Sequence, residues 1–185
     1  MKKVAIIIPS TPKKALFELL RSLQGQLYKQ LIVQLEGTTP GEKRNLGVSL
    51  KNDDIELLCF LDDDLILKDN FIEQGIKQFE LGNYDFAQSK VIGGVENAKN
   101  KFTSTACWFT VKAFFDVDGF DEKFRFNEDI DIYQRALQKG FNYGYLDKSI
   151  AWHPEIGMYE NLIASNKRLE VKHPSLYKQL KKEIR

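Results

Sequence analysis

Three consecutive acidic residues, Asp62, Asp63 and Asp64, follow directly on the apolar run IELLCFL at 55–61. Adjacent carboxylates repel one another, and a bound cation turns that repulsion into coordination. Acidic residues without a positive partner nearby are typical ligands of a hard cation, Mg²⁺ or Mn²⁺, which usually bridges one or two carboxylates to substrate phosphates. The alternative is that the aspartates only cap the helix that follows, although a single Asp would suffice for that.

Two further acids, Glu128 and Asp129, begin a predicted helix after a Phe-rich loop. The helix macrodipole favours carboxylates in a first turn whether or not they have a function. The same dipole keeps such an acid ionised and able to accept a proton, so the pair is a candidate for a general base. Asp131 and Arg135 stand four residues apart and predict a helix salt bridge, which excludes Asp131 from the site.

His153 ends a late apolar strand. A lone histidine is more often structural than functional. A neutral imidazole could complete the coordination of the metal if that strand end reaches it.

The elements that must position these residues alternate along the first 80 residues. The apolar runs at 3–9 and 55–61 predict buried strands, and QLIVQLE at 30–36 predicts another strand between them. Predicted helices at 13–24, 38–50 and 69–81 separate and follow these strands. This order predicts an α/β fold with a mostly parallel sheet and helices on both faces. The carboxyl ends of the strands then share one rim, where open parallel sheets bind ligands. Pro9, Thr11, Glu36 and the three aspartates fall at that rim.

Helix boundaries follow from capping residues. Thr39 with Glu42, and Asn70 with Glu73, have the spacing of capping boxes, and Asn127 and Gly140 flank a helix at 128–139. Beyond residue 82 the sequence predicts strands at 84–95, 104–111 and 141–154, a loop at 114–126, and two C-terminal helices interrupted by Pro174.

Arg44 lies in the first turns of the 38–50 helix, near the predicted rim. Its guanidinium could contact a nucleotide base or phosphate, or it could be an ordinary solvated charge.

Composition predicts one globular domain. The 185 residues are 43% hydrophobic and carry a net charge of +1, which gives no general reason to bind nucleic acid. Residues 161–185 contain seven Lys or Arg and two Glu, a local charge of 7 − 2 = +5. The tail at 167–185 therefore predicts either a peripheral contact with an anionic membrane surface or a solvated helix.

Cellular location follows from two smaller features. The first apolar run, VAIII, is too short for a signal peptide or a membrane span. Cys59 and Cys107 have no Cys or His at metal-binding spacing, and we interpret them as buried free thiols in a reducing compartment. We expect a cytoplasmic protein, with any membrane contact at the inner face.

Five segments together resemble the family-2 GT-A glycosyltransferases. VAIIIPST resembles their opening strand, and VQLEGTTPGEKRNLG resembles their VDDGS…ARNxG stretch. FLDDDLIL resembles their DxD motif, and VDGFDEKFRFNEDIDIYQRALQKGF resembles their GGFDExF…ED…R…G segment. AWHPE resembles their late His motif. The resemblance covers about residues 3–155. The DxD alone is weak, but its order and spacing with GFDExF and ED are specific.

The resemblance implies a Rossmann-like GT-A fold in one domain, 1–185. Residues 1–90 would bind the nucleotide sugar, 91–155 would hold the acceptor and the catalytic residues, and 156–185 would form C-terminal helices. It implies an inverting, hexosyltransferase-type enzyme that uses Mn²⁺ or Mg²⁺ to transfer a sugar from a nucleotide-diphosphate sugar to a hydroxyl of a glycan, lipid or protein.

The resemblance also implies roles for individual residues. Asp129 would be the base, supported by Glu128, and Asp64 the main metal ligand, with Asp62 and His153 as further candidates. The donor would be bound by Pro9, Thr11, Glu36, Arg44, Asn45, Asp62 and Asp63. Two positions depart from the family pattern: Leu35 replaces an acid, and Val117-Asp118 precede Gly119 where the family often has Gly-Gly.

Two other functions fit part of the pattern. A different DxD metal-dependent phosphoryl-transfer enzyme would place a Glu after its first strand, where this chain has Pro9-Ser10. The other is a non-catalytic nucleotide- or sugar-binding relative, a degenerate transferase, although all the acids expected of an active enzyme are present here.

Overall fold

The structure is a computed structural model that describes residues 1–11, 14–93, 102–153 and Val171. The predicted C-terminal helices and the basic tail lie outside the described residues, Val171 apart. Within the described ranges, no helix is long and apolar enough to cross a membrane.

The described residues form seven strands and five helices, which alternate through the first half of the chain as predicted. In chain order they are β1 Val4–Pro9, α1 Lys14–Ser22, β2 Gln30–Gln34, α2 Pro40–Ser49, β3 Leu57–Leu61, β4 Ile66–Leu67, α3 Phe71–Leu81, β5 Phe86–Ile92, β6 Ala106–Thr110, α4 Val111–Asp116, α5 Glu128–Gln138 and β7 Tyr143–Trp152.

The seven strands form one sheet in the order β2-β1-β3-β6-β5-β7-β4. β1 is parallel to β2 and β3, and β5 is parallel to β7. β6 is antiparallel to both of its neighbours, and β4 is antiparallel to β7. Five strands therefore run in one direction and two in the other, which confirms a mostly parallel sheet and places the ends of β1, β2 and β3 at one edge.

Helices cover both faces of this sheet, as the apolar runs predict. In β1, Ile6 and Ile8 pack in one core cluster with Leu19 of α1 and residues of α3. Ala5 and Ile7 pack in the other, with residues of α2, α4 and α5. Every residue of β3 is buried, because a strand between two helical layers has no solvent-facing side. Both cysteines are buried and free, as predicted.

Several local predictions are wrong. Asn70 and Asn127 precede α3 and α5 with φ of 65°, and neither side chain makes a capping hydrogen bond. A side-chain cap needs extended backbone at the capping residue, whereas both asparagines adopt the left-handed conformation that Asn tolerates. Thr39 does cap α2 through its Oγ1, which accepts from Glu42 N–H. The Glu42 carboxylate also accepts from Thr38 N–H at 2.6 Å and from Thr38 Oγ1 at 2.7 Å.

The helix α4 forms where the sequence predicts the end of a strand and the start of a loop. Thr110 Oγ1 accepts from Ala113 N–H and starts α4, which carries Phe114 into the core. The run is too short and too aromatic for helical periodicity to show, and tertiary packing decides its conformation.

Candidate active site

A cavity of about 700 Å³ opens at the carboxyl ends of β1 and β3. The start of α2, the residues after β3, the residues before β6, the start of α5 and the end of β7 complete its walls. Nine of the eleven predicted site residues line it: Pro9, Thr11, Arg44, Asp62, Asp63, Asp64, Glu128, Asp129 and His153. The fold therefore brings together residues that are up to 144 positions apart in the chain, from Pro9 to His153.

Arg44 is the buried centre of the polar network in this cavity, with only 2% of its surface exposed. Its Nη1 donates to Glu128 Oε1 at 2.8 Å, and its Nη2 donates to Asp62 Oδ1 at 2.7 Å. Burial disfavours the guanidinium charge, but the two carboxylates outweigh burial and raise the Arg44 pKa. The Phe120 ring lies 5.1 Å from the guanidinium carbon. Arg44 therefore joins the end of β3 to the start of α5.

The burial of Asp62 raises its pKa, and Arg44 offsets part of this effect. Its Oδ1 is engaged by Arg44, so Oδ2 is the oxygen that remains for a ligand.

Asp63 fixes the backbone at the end of β1. Its Oδ2 accepts from Ser10 Oγ at 2.8 Å and from Thr11 N–H at 3.2 Å. The carboxylate is buried. These bonds hold the backbone of residues 10–11 against the cavity.

Asp64 and His153 form a pair in the cavity wall. His153 Nε2 lies 3.3 Å from Asp64 Oδ1, and that oxygen is buried without a hydrogen-bond partner. The backbone N–H of His153 donates to Ile92 O, and Gly93 lets His153 approach, because a Cβ there would lie 2.4 Å from His153 O.

This pair fits a divalent cation with few protein ligands. A buried carboxylate oxygen without a hydrogen bond, beside an imidazole nitrogen, presents two donor atoms of types that Mn²⁺ and Mg²⁺ sites use. The described part of the chain contains no group of three or more His, Cys, Asp or Glu side chains that could hold a metal. An ion held by Asp64 and His153 would thus take most of its other ligands from water or a bound molecule.

Asp129 is part-buried at the cavity wall, and Ile130 N–H donates to its Oδ1 at 2.8 Å. Burial and the neighbouring charge of Glu128 raise the Asp129 pKa to about 7. A carboxylate with a pKa near neutrality can both lose and accept a proton at physiological pH. Asp131, two residues on, is fully buried and pairs with Arg135 at 2.7 Å, as predicted.

Glu128 is held differently from Asp129. Its Oε1 accepts from Arg44 and from Ser104 Oγ, the latter at 3.3 Å. The two adjacent carboxylates therefore have different surroundings, one fixed by a guanidinium and one with a raised pKa.

Two predicted residues lie outside the cavity wall. Glu36 is exposed beyond the end of β2. Asn45 donates to Phe120 O at 2.8 Å and to Glu122 Oε1, and accepts from Phe120 N–H. Asn45 thus holds the segment that carries Phe120 over Arg44.

The sequence reasoning missed Lys43, which is 9% exposed and lines the cavity. Its Nζ donates to Ser10 O at 2.6 Å. Its position beside Arg44 in the first turn of α2 is a sequence signal that could have found it.

The comparisons show the fold. No protein-family model and no curated protein sequence matches this chain. The crystal structure of S. aureus TarS is similar at a TM-score of 0.69 and 16% identity, over 92% of this chain and 39% of that one. TarS 1-349 in complex with UDP-GlcNAc has a TM-score of 0.72 at 15% identity, over 91% and 65%. TarS 1-349 in complex with UDP has a TM-score of 0.66 at 16% identity, over 82% of this chain and 60% of that one.

This chain spans less than two thirds of the length of each of these structures. The likeness establishes that the fold is of the GT-A type, as the sequence predicts.

Proposed function

We propose that this chain is a metal-dependent, inverting glycosyltransferase that moves a sugar from a nucleotide-diphosphate sugar to an acceptor hydroxyl. The main observation behind this proposal is that one cavity has both Asp129, whose pKa is about 7, and the Asp64–His153 pair in its walls. The TarS structures with UDP-GlcNAc and with UDP support the donor class, since they share this fold.

Asp64 and His153 would hold Mn²⁺ or Mg²⁺, with Asp62 Oδ2 available to the ion or to the ribose. The ion, when bound, would stabilise the negative charge that grows on the leaving diphosphate. Pro9 and Thr11, at the end of β1, would contact the nucleoside, and Asp63 would hold Thr11 in place for this contact.

Asp129 would act as the general base. It takes the proton of the acceptor hydroxyl while the hydroxyl oxygen attacks the anomeric carbon, and the bond to the diphosphate breaks with its electron pair on the leaving group. A base whose pKa lies near the working pH is both available in its ionised form and basic enough to accept the proton. Direct displacement by this route inverts the anomeric centre.

Glu128 would be a positioning residue. Its carboxylate is fixed by Arg44 and Ser104, and its charge contributes to the raised pKa of Asp129.

Release of the nucleoside diphosphate tests this proposal. The chain is incubated with a panel of UDP-, GDP-, ADP- and dTDP-sugars and Mn²⁺, with and without EDTA, and the free nucleoside diphosphate is measured. We expect slow donor hydrolysis with one nucleotide class, and EDTA should abolish it. Calorimetry with the same donors measures binding. Donor binding without any turnover would favour a non-catalytic nucleotide-sugar-binding protein, and absence of binding to every donor would overturn the proposal.

A further inference from the structure

Lys43 is a buried cation that faces the same cavity. Its side chain is nine-tenths buried, and its Nζ donates to the backbone oxygen of Ser10 at 2.6 Å. Within the described part of the chain, no carboxylate forms an ion pair with it. Its neighbour Arg44, in contrast, has two carboxylate partners. A buried charge is unfavourable unless a counter-charge accompanies it. Arg44 has its counter-charges within the protein, whereas Lys43 needs one from a ligand.

The stem, the backbone and the ammonium of Lys43 are each fixed by a separate contact. Gly37, at φ +112°, lies over the lysine stem, since a Cβ there would be 3.0 Å from Lys43 Cγ. The backbone N–H of Lys43 donates to Thr39 O, which anchors it in the first turn of α2. Ser10, the acceptor of the ammonium, donates in turn to the buried Asp63. An ammonium has three N–H donors, and Ser10 O takes one of them.

The charge of the cavity wall also calls for a cation at this point. The wall carries five carboxylates, of Asp62, Asp63, Asp64, Glu128 and Asp129, against Lys43, Arg44 and Arg125. Asp62 and Glu128 already neutralise Arg44. An anionic ligand would therefore lie among more carboxylates than cations, and the ammonium of Lys43 is a buried cation of this wall that no carboxylate of the described residues pairs with.

We infer that Lys43 binds a phosphate oxygen of the ligand in this cavity. The inference rests on the proposed function, because that function supplies a diphosphate. A phosphate provides the missing counter-charge and accepts the two remaining N–H donors, whereas a neutral nucleobase or sugar provides acceptors without charge. A compact ammonium suits this role as a point charge.

The test compares Lys43→Met with Lys77→Met, which removes the same charge from the exposed face of α3. Calorimetry with Mn²⁺ present measures the affinity for two phosphorylated ligands. One is inorganic pyrophosphate, and the other is whichever of UDP, GDP, ADP and dTDP the parent binds most tightly. The affinity for the matching nucleoside is measured by competition. A charge-assisted hydrogen bond of ordinary strength predicts a loss of about tenfold or more for both phosphorylated ligands in Lys43→Met. The nucleoside should bind as in the parent, and Lys77→Met should change nothing.

Two outcomes would overturn the inference alone: parental diphosphate affinity in Lys43→Met, or an equal loss for diphosphate and nucleoside. Failure of the parent to bind any nucleoside diphosphate would overturn the proposed function together with it. If Lys43→Met does not fold, Lys43→Gln keeps a donor for Ser10 O without the charge, and the ratio of diphosphate to nucleoside affinity gives the same answer.

Discussion

Replacing Arg44 by Met should destabilise the fold through the two carboxylates that it leaves behind. Asp62 and Glu128 lie 2.7 and 2.8 Å from the guanidinium, and Glu128 is buried. Removal of one partner from a buried ion pair costs about 3–5 kcal/mol. At about 2.1 cal/mol/K per residue, the 185 residues give an unfolding entropy of roughly 0.39 kcal/mol/K, so the melting temperature should fall by about 8–13 °C.

The assay is thermal unfolding followed by circular dichroism, at several pH values. Burial already raises the Asp62 pKa, and without Arg44 nothing offsets that effect. The Asp62 pKa in the fold then lies further above its value in the unfolded chain, so the stability deficit of Arg44→Met should be largest above neutrality and should shrink as the pH falls toward 5.

Lys112→Met is the matched control, because Lys112 forms an exposed pair with Asp116. Such a pair is worth at most about 1 kcal/mol, so the control should melt within roughly 3 °C of the parent. An Arg44→Met protein that melts like the control, or whose deficit grows at low pH, would refute the reasoning.

Three further predictions concern the metal pair, the base and the packing of α2. Asp64→Asn should remove most of the Mn²⁺-dependent binding of a nucleoside diphosphate, because it deletes a charged ligand of a hard cation; equal calorimetric affinity in mutant and parent would exclude Asp64 as a ligand. The kcat/KM for donor and acceptor should rise with pH through about 7 and level off above it. Burial and Glu128 raise the Asp129 pKa to about 7, and only the ionised form of Asp129 accepts a proton. A kcat/KM profile that is flat from pH 5.5 to 8.5 would contradict this prediction. Gly47→Ala should destabilise the protein by about 1–3 kcal/mol despite the better helix propensity of Ala, because the new Cβ would lie 2.5 Å from Ile7 Cγ2; an unchanged or raised melting temperature would show that the helix can move away from β1.

The strands β1 and β3 could be predicted because they are continuous apolar runs, and the helices α1 and α3 because their apolar residues recur with helical periodicity. The direction of β6 could not, since an antiparallel buried strand has the same apolar run as a parallel one. The same limit applies to Asn70 and Asn127, because the residue type suits both an extended cap and the left-handed conformation that they adopt.

The residues of the candidate site could be predicted better than their contacts. Strand ends bring Thr11 and Asp64 to one rim wherever the sheet is parallel. The pairing of Arg44 with Glu128, 84 residues away, depends on how α5 packs against α2, and no local pattern records it. For this reason the sequence could not say that Arg44 is neutralised while Lys43 beside it is not.

The most direct test of the proposed function is Asp129→Asn, with donor affinity and sugar transfer measured on the same preparation. Asn keeps the shape and accepts a hydrogen bond but cannot take a proton. We expect nearly parental donor affinity with Mn²⁺, and a transfer rate lower by about 10²-fold or more, a barrier increase of about 2.7 kcal/mol. Transfer by Asp129→Asn at close to the parental rate would contradict the proposal, and the assignment would move to Glu128 if Glu128→Gln alone were inactive.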